Sequence, residues 1–114
     1  MNLDGRTFVT LENKSGLSSG KTVFNYSEAD NVITGTYSGG SIIEGNLIGK
    51  RIGENSIELL YQCLTEAGDL LAGESKGVLL QNSEGLIEIH FDWNWINGPL
   101  TGGKSQYIEV RKSS

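Results

Sequence analysis

Residues 98–105, GPLTGGKS, match the spacing G-x-x-x-x-G-K-[ST] through Gly98, Gly103, Lys104 and Ser105. In a nucleotide-binding protein that spacing folds into a loop whose backbone amides cradle phosphates at the start of a long helix. Here only QYIEVRKSS follows Ser105, and its apolar residues Tyr107, Ile108 and Val110 suit a strand. No later strand offers the acidic residue that would hold magnesium. The segment therefore reads as a glycine-rich hairpin turn with a lysine at its exit, and no nucleotide cofactor is expected.

Other reactive side chains are sparse. His90 is the single histidine, and no G-x-S-x-G segment supplies an activated serine, so a histidine-based triad has no partners. One His and one Cys cannot build a Cys/His metal centre, and Glu88 and Asp92 beside His90 would offer at best a weak oxygen-rich site. No metal site and no catalytic residue are expected, and His90 reads as a solvated strand residue. Cys63 alternates with Leu59 and Tyr61 and has no basic neighbour to activate it, which makes it a small core residue. Glu44, Glu58, Glu74, Glu88 and Glu109 are expected to point outward. An enzyme would need the alternative, an inward acid–base pair such as Glu74 with His90.

Aromatic residues are more suggestive. In IEIHFDWNW, residues 87–95, Ile87, Ile89, Phe91, Trp93 and Trp95 share one face of a strand, opposite Glu88, His90, Asp92 and Asn94. Two tryptophans on one face either fill a core or form the wall of a small pocket, and each buried indole N–H needs an acceptor. With Tyr37 and Tyr61 they are the candidate binding residues for a small apolar or aromatic ligand.

The elements that must position them read as strands throughout. Period-two runs fall at about 6–13, 20–27, 31–38, 41–50, 55–65, 69–78, 84–95 and 102–111, joined by short connections such as SEADN, SGG, IGEN, TEAGD and QNSEG. Neighbouring runs should pair as antiparallel hairpins. Sixteen glycines stand against a single proline, and Gly35, Gly45 and Gly73 interrupt apolar runs, as at bulges, bends or close approaches in a curling sheet. Residues 57–64 also carry a helical stripe, Ile57, Leu60, Tyr61 and Leu64, with Ser56 as a cap and Gly68 as a stop. The succession of hairpins favours a strand there. The expected fold is all-β, an up-and-down meander of about eight strands forming a closed or nearly closed barrel. Such an interior is filled by side chains or holds one small ligand.

The 114 residues suit one domain, 1–114, with one core. A net charge of -5 without a basic stripe argues against nucleic acid. No apolar run is long enough to span a membrane, and a lone cysteine fits a reducing, cytoplasmic setting. A partner other than a small molecule would be a second copy, a homodimer or interaction module formed through a strand edge left by incomplete closure.

ITGTYSGGSIIEGNLIG, YQCLTEAGDLLAGES and WNWINGPLTGGKSQYIEV resemble a family of small bacterial proteins often labelled N-acetylglutamate synthase. That resemblance implies acetyl-coenzyme A-dependent acetylation of glutamate, although the R/Q-x-x-G-x-G/A turn of acetyltransferases does not occur. VITGTYSGG followed by FDWNWINGP and a closing strand is similar to the avidins, eight-stranded biotin-binding barrels, and more broadly to lipocalin-like barrels. By that resemblance Tyr37 matches a ligand-contacting tyrosine and Trp93 or Trp95 a pocket tryptophan. Gly39 stands where the avidins place a ligand-binding serine, and SQYIEVRKSS lacks their aspartate.

Overall fold

The computed structural model describes residues 1–14, 21–97 and 102–110. These form eight strands: β1 (Thr7–Lys14), β2 (Val23–Ala29), β3 (Val32–Gly39), β4 (Ile42–Gly53), β5 (Ser56–Thr65), β6 (Leu70–Gln81), β7 (Ile87–Trp95) and β8 (Gly103–Glu109). Each pairs antiparallel with the next, and β8 returns to β1, closing an eight-stranded barrel. The β2–β3 turn shows how local chemistry sets register. Asp30 and Asn31 both take positive φ, 53° and 65°, the conformation of a two-residue hairpin loop whose twist matches the strands.

Residues 57–64 lie in β5: Ile57, Leu59 and Cys63 are buried while Leu60 is 53% exposed, as a strand requires and a helical stripe does not. Gly103, Lys104 and Ser105 lie on β8, with Ser105 facing inward, and no helix occurs among the described residues. Gly98 of the phosphate-loop match lies outside them. Closure removes the free strand edge through which a homodimer was expected to pair.

Of the bulges, bends and close approaches expected of the strand glycines, it is close approach that Gly35, Gly45 and Gly73 serve. Ladder shifts occur between Thr10 and Glu12, Tyr37 and Gly39, Ile42 and Glu44, and Arg51 and Gly53. Gly35, Gly45 and Gly73 instead occupy regular ladder positions, each opposite a large inward side chain: Leu47, Tyr37 and Tyr61. Around one level of the barrel the inward residues run Tyr26, Gly35, Leu47, Tyr61, Gly73, Trp95. The next level runs Ile33, Gly49, Leu59, Ser75, Trp93, Gly103. An eight-stranded interior is barely wide enough for its own side chains, so large and small residues must alternate around it.

One end of the barrel is plugged. Residues 1–6 cross it, with Leu3 fully buried and Gly5 donating its N–H to the Tyr26 carbonyl at 3.0 Å. The Glu28 carboxylate accepts from the Leu3 amide at 2.9 Å and from Arg51 Nε and Nη2 at 3.0 and 2.7 Å. Arg51 Nη2 also donates to the Met1 carbonyl oxygen at 2.8 Å. Glu109 belongs to this end as well. Expected to be solvated, it is 12% exposed, pairs with Arg6 and accepts from the Ile87 amide at 3.1 Å. Burial of both carboxylates is tolerated because each has a guanidinium and a backbone N–H.

Candidate functional site

Toward the opposite end the described residues leave free space. A cavity of about 70 Å³ opens between the inward aromatic residues of β2, β3, β5, β7 and β8. In a closed eight-stranded barrel, strands four apart face each other across the axis, so β3, which carries Tyr37, lies opposite β7, which carries Trp93 and Trp95. The aromatic residues form two walls. On one, Tyr37 stacks on Phe24 with centroids 4.8 Å apart, Phe24 meets Tyr107 edge-on at 4.8 Å, and Tyr107 meets Phe91 at 5.5 Å. On the other, Trp95 meets Trp93 at 5.4 Å and Tyr61 at 5.9 Å.

All four residues singled out in the sequence, Tyr37, Tyr61, Trp93 and Trp95, line this one cavity. Sequence reading missed Phe24, Tyr26, Phe91 and Tyr107, which share it, and the serines Ser75 and Ser105. The signal was present: Phe24 and Tyr26 stand two apart, as Trp93 and Trp95 do, and so lie on one strand face. His90 and Glu74 do not form the inward acid–base pair. His90 lies outside the barrel 3.1 Å from Glu88, and Glu74 is paired with Asn94 on the outer surface.

Among the described residues no charged side chain lines the cavity, so the polarity of the described lining comes from hydroxyl, thiol and indole groups. Some are engaged. Tyr37 donates its hydroxyl to the Gln62 carbonyl at 2.9 Å, and Trp93 donates Nε1–H to Ser105 Oγ at 2.8 Å. Others are not. Trp95 Nε1 is buried without an acceptor, and the Tyr61 and Ser75 hydroxyls make no hydrogen bond among the described residues. An unsatisfied buried donor costs free energy, and the Trp95 N–H at the edge of a cavity is the pattern of a site awaiting a polar partner.

Burial raises the Tyr26, Tyr37 and Tyr61 phenols far above their usual range, and nearby Tyr107 adds to each shift. They are neutral hydroxyls wherever the protein is folded near neutral pH. The Cys63 thiol is also raised by burial, which outweighs the opposing influence of the neighbouring Tyr37 hydroxyl. The described lining therefore offers apolar surface and neutral hydrogen-bonding groups, and no ionised group among the described residues stands there to pair with a charged ligand.

Gly39 marks a departure from the avidin arrangement. Its φ of 110° belongs to glycine, and a β-carbon there would run into the backbone carbonyl of Lys21. A serine cannot replace it without moving the backbone.

No curated protein and no solved structure gives a significant match to this sequence. The family comparison does: residues 1–110 match the avidin-like protein family. With the match covering nearly the whole chain and the meander closed into an eight-stranded barrel, this protein belongs to the avidin-like family.

Proposed function

We propose that this protein is a non-enzymatic binder of a small, uncharged, largely aromatic molecule, held in the aromatic-lined half of the barrel by Tyr37, Tyr61, Trp93 and Trp95. The observation that carries this reading is the cavity itself, walled by aromatic rings, edged by the unpartnered Trp95 indole N–H and lined in part by Ser75. A ligand with one hydrogen-bond acceptor, such as a carbonyl, would satisfy Trp95; a carboxylate buried there would lose its hydration without gaining a counter-ion. At 70 Å³ the space is smaller than the roughly 150 Å³ that accommodates benzene in an apolar protein interior. A single ring would therefore enter with an outward shift of the half-buried Tyr61 and Trp95, while the Trp93 indole stays tied to Ser105.

An acetyl-coenzyme A-dependent synthase is the competing assignment. The described lining of the small cavity carries no charge for the cofactor's phosphates, and the reading as a binder accounts better for that lining. The cytoplasmic setting rests on the free thiol of Cys63. A homo-oligomer would have to pack through barrel faces, such as that bearing the exposed pair Ile48 and Leu60.

The test is native mass spectrometry of protein purified gently from its own cells, followed by calorimetry with indole, 2-pyridone, benzoate, biotin and acetyl-coenzyme A. A discrete uncharged adduct, or binding of indole or 2-pyridone in preference to benzoate, supports the proposal. Binding of acetyl-coenzyme A alone overturns it.

A further inference from the structure

Gly73 on β6 lies in register with two inward aromatic residues at once, Tyr61 on β5 and Trp95 on β7. The Tyr61 ring occupies the space over Gly73 that a side chain would fill, and a β-carbon at position 73 would run into the phenol ring and its hydroxyl. Gly45 stands in the same relation to Tyr37 on the opposite wall, where its missing side chain lets that ring lie against β4. The two glycines thus recess two of the rings that bound the cavity.

The consequence follows from packing. Each ring has strand backbone behind it and the cavity in front. A methyl group placed behind a ring can move it only toward the empty side, because a ladder-bonded backbone gives far less readily than a side-chain torsion. We infer that Gly73, seconded by Gly45, is the size-determining residue of this cavity: by recessing Tyr61 against the wall it leaves the free space that a small guest enters. This rests on the reading of the cavity as a ligand site.

Xenon is the probe, because an apolar cavity takes it up without any hydrogen bond and so reports space alone. Xenon uptake is followed by chemical-shift titration in the unmodified protein, in Gly73→Ala, and in the double variant Gly73→Ala with Tyr61→Ala, with circular dichroism recording the fold of each. The expected result is uptake by the unmodified protein, a loss of about tenfold in Gly73→Ala with the fold retained, and recovery in the double variant. Equal uptake by folded Gly73→Ala overturns the inference while leaving the ligand site standing. No uptake by the unmodified protein removes both. Should Gly73→Ala fail to fold, the double variant decides alone: folded with uptake at least equal to the unmodified protein supports the role of Gly73, and unfolded or without uptake overturns it.

Discussion

Trp93 donates its indole N–H to Ser105 across the β7–β8 ladder at 2.8 Å, whereas Trp95, two residues further along the same strand face, has a buried N–H with no acceptor. The two tryptophans therefore differ in what they stabilise. Trp93→Phe removes a buried hydrogen bond and leaves space in the core, and should lower stability by about 2–4 kcal/mol. Trp95→Phe removes a donor that was already unsatisfied and should cost less than half as much. Urea unfolding midpoints of the two variants check the order. A larger loss for Trp95→Phe would contradict this division.

Acid should act on the plugged end. The hydrogen bond from Arg51 holds the Glu28 carboxyl below its ordinary value of 4.5, against the opposing effect of burial. A depressed folded-state pKa means that the contribution is fully present above 4.5 and is lost as pH falls through the lower, folded-state value. Stability measured from pH 7 downward should decline over that acidic window, and Glu28→Gln should flatten that part of the decline. At neutral pH the same substitution leaves Arg51 without its counter-ion and should cost roughly 3 kcal/mol.

Not every strand glycine tolerates alanine equally. At Gly77 a β-carbon would lie 2.6 Å from Phe91 Cε1 and 3.1 Å from Ile89 Cγ2. Gly77→Ala should therefore destabilise by about 1–3 kcal/mol, outweighing the entropy gained by removing a glycine from a strand. At Gly53 the nearest atom would be 3.7 Å away, and Gly53→Ala should be neutral or stabilising by up to about 1 kcal/mol. Thermal melts of the pair give the comparison.

Cys63 should be inert in the folded protein. Its thiol is buried and its pKa raised, so little thiolate exists at pH 8 and reagents reach it poorly. A chromogenic disulfide reagent should modify it at least about tenfold more slowly in buffer than in denaturant. Equal rates would show that the cavity mouth admits bulky reagents to the barrel interior.

Much of the barrel was legible before any coordinates. The eight runs of period-two alternation correspond to the eight strands, and Trp93 and Trp95 lie on the inward face that their spacing assigns them. Segment 57–64 was legible only by context, because Ile57, Leu60, Tyr61 and Leu64 fit a helix as well as Ile57, Leu59, Tyr61 and Cys63 fit a strand. The outward placement of Glu109 was wrong. Alternation within one strand carries no information about what arrives at the barrel end, where Arg6 and the Ile87 amide make inward burial of that carboxylate tolerable.

What the sequence determined by itself was the element type and the two faces of most strands, since these depend on residues one and two positions apart in the chain. Opposition was decided only by the tertiary structure: Gly45 beneath Tyr37, Gly73 beneath Tyr61, Ser105 at the Trp93 indole, and β3 with Tyr37 across the axis from β7 with Trp95. The physical reason is that register and closure are set by pairing between segments distant in sequence. Whether rings fill a barrel or leave a cavity depends on which of them meet a glycine.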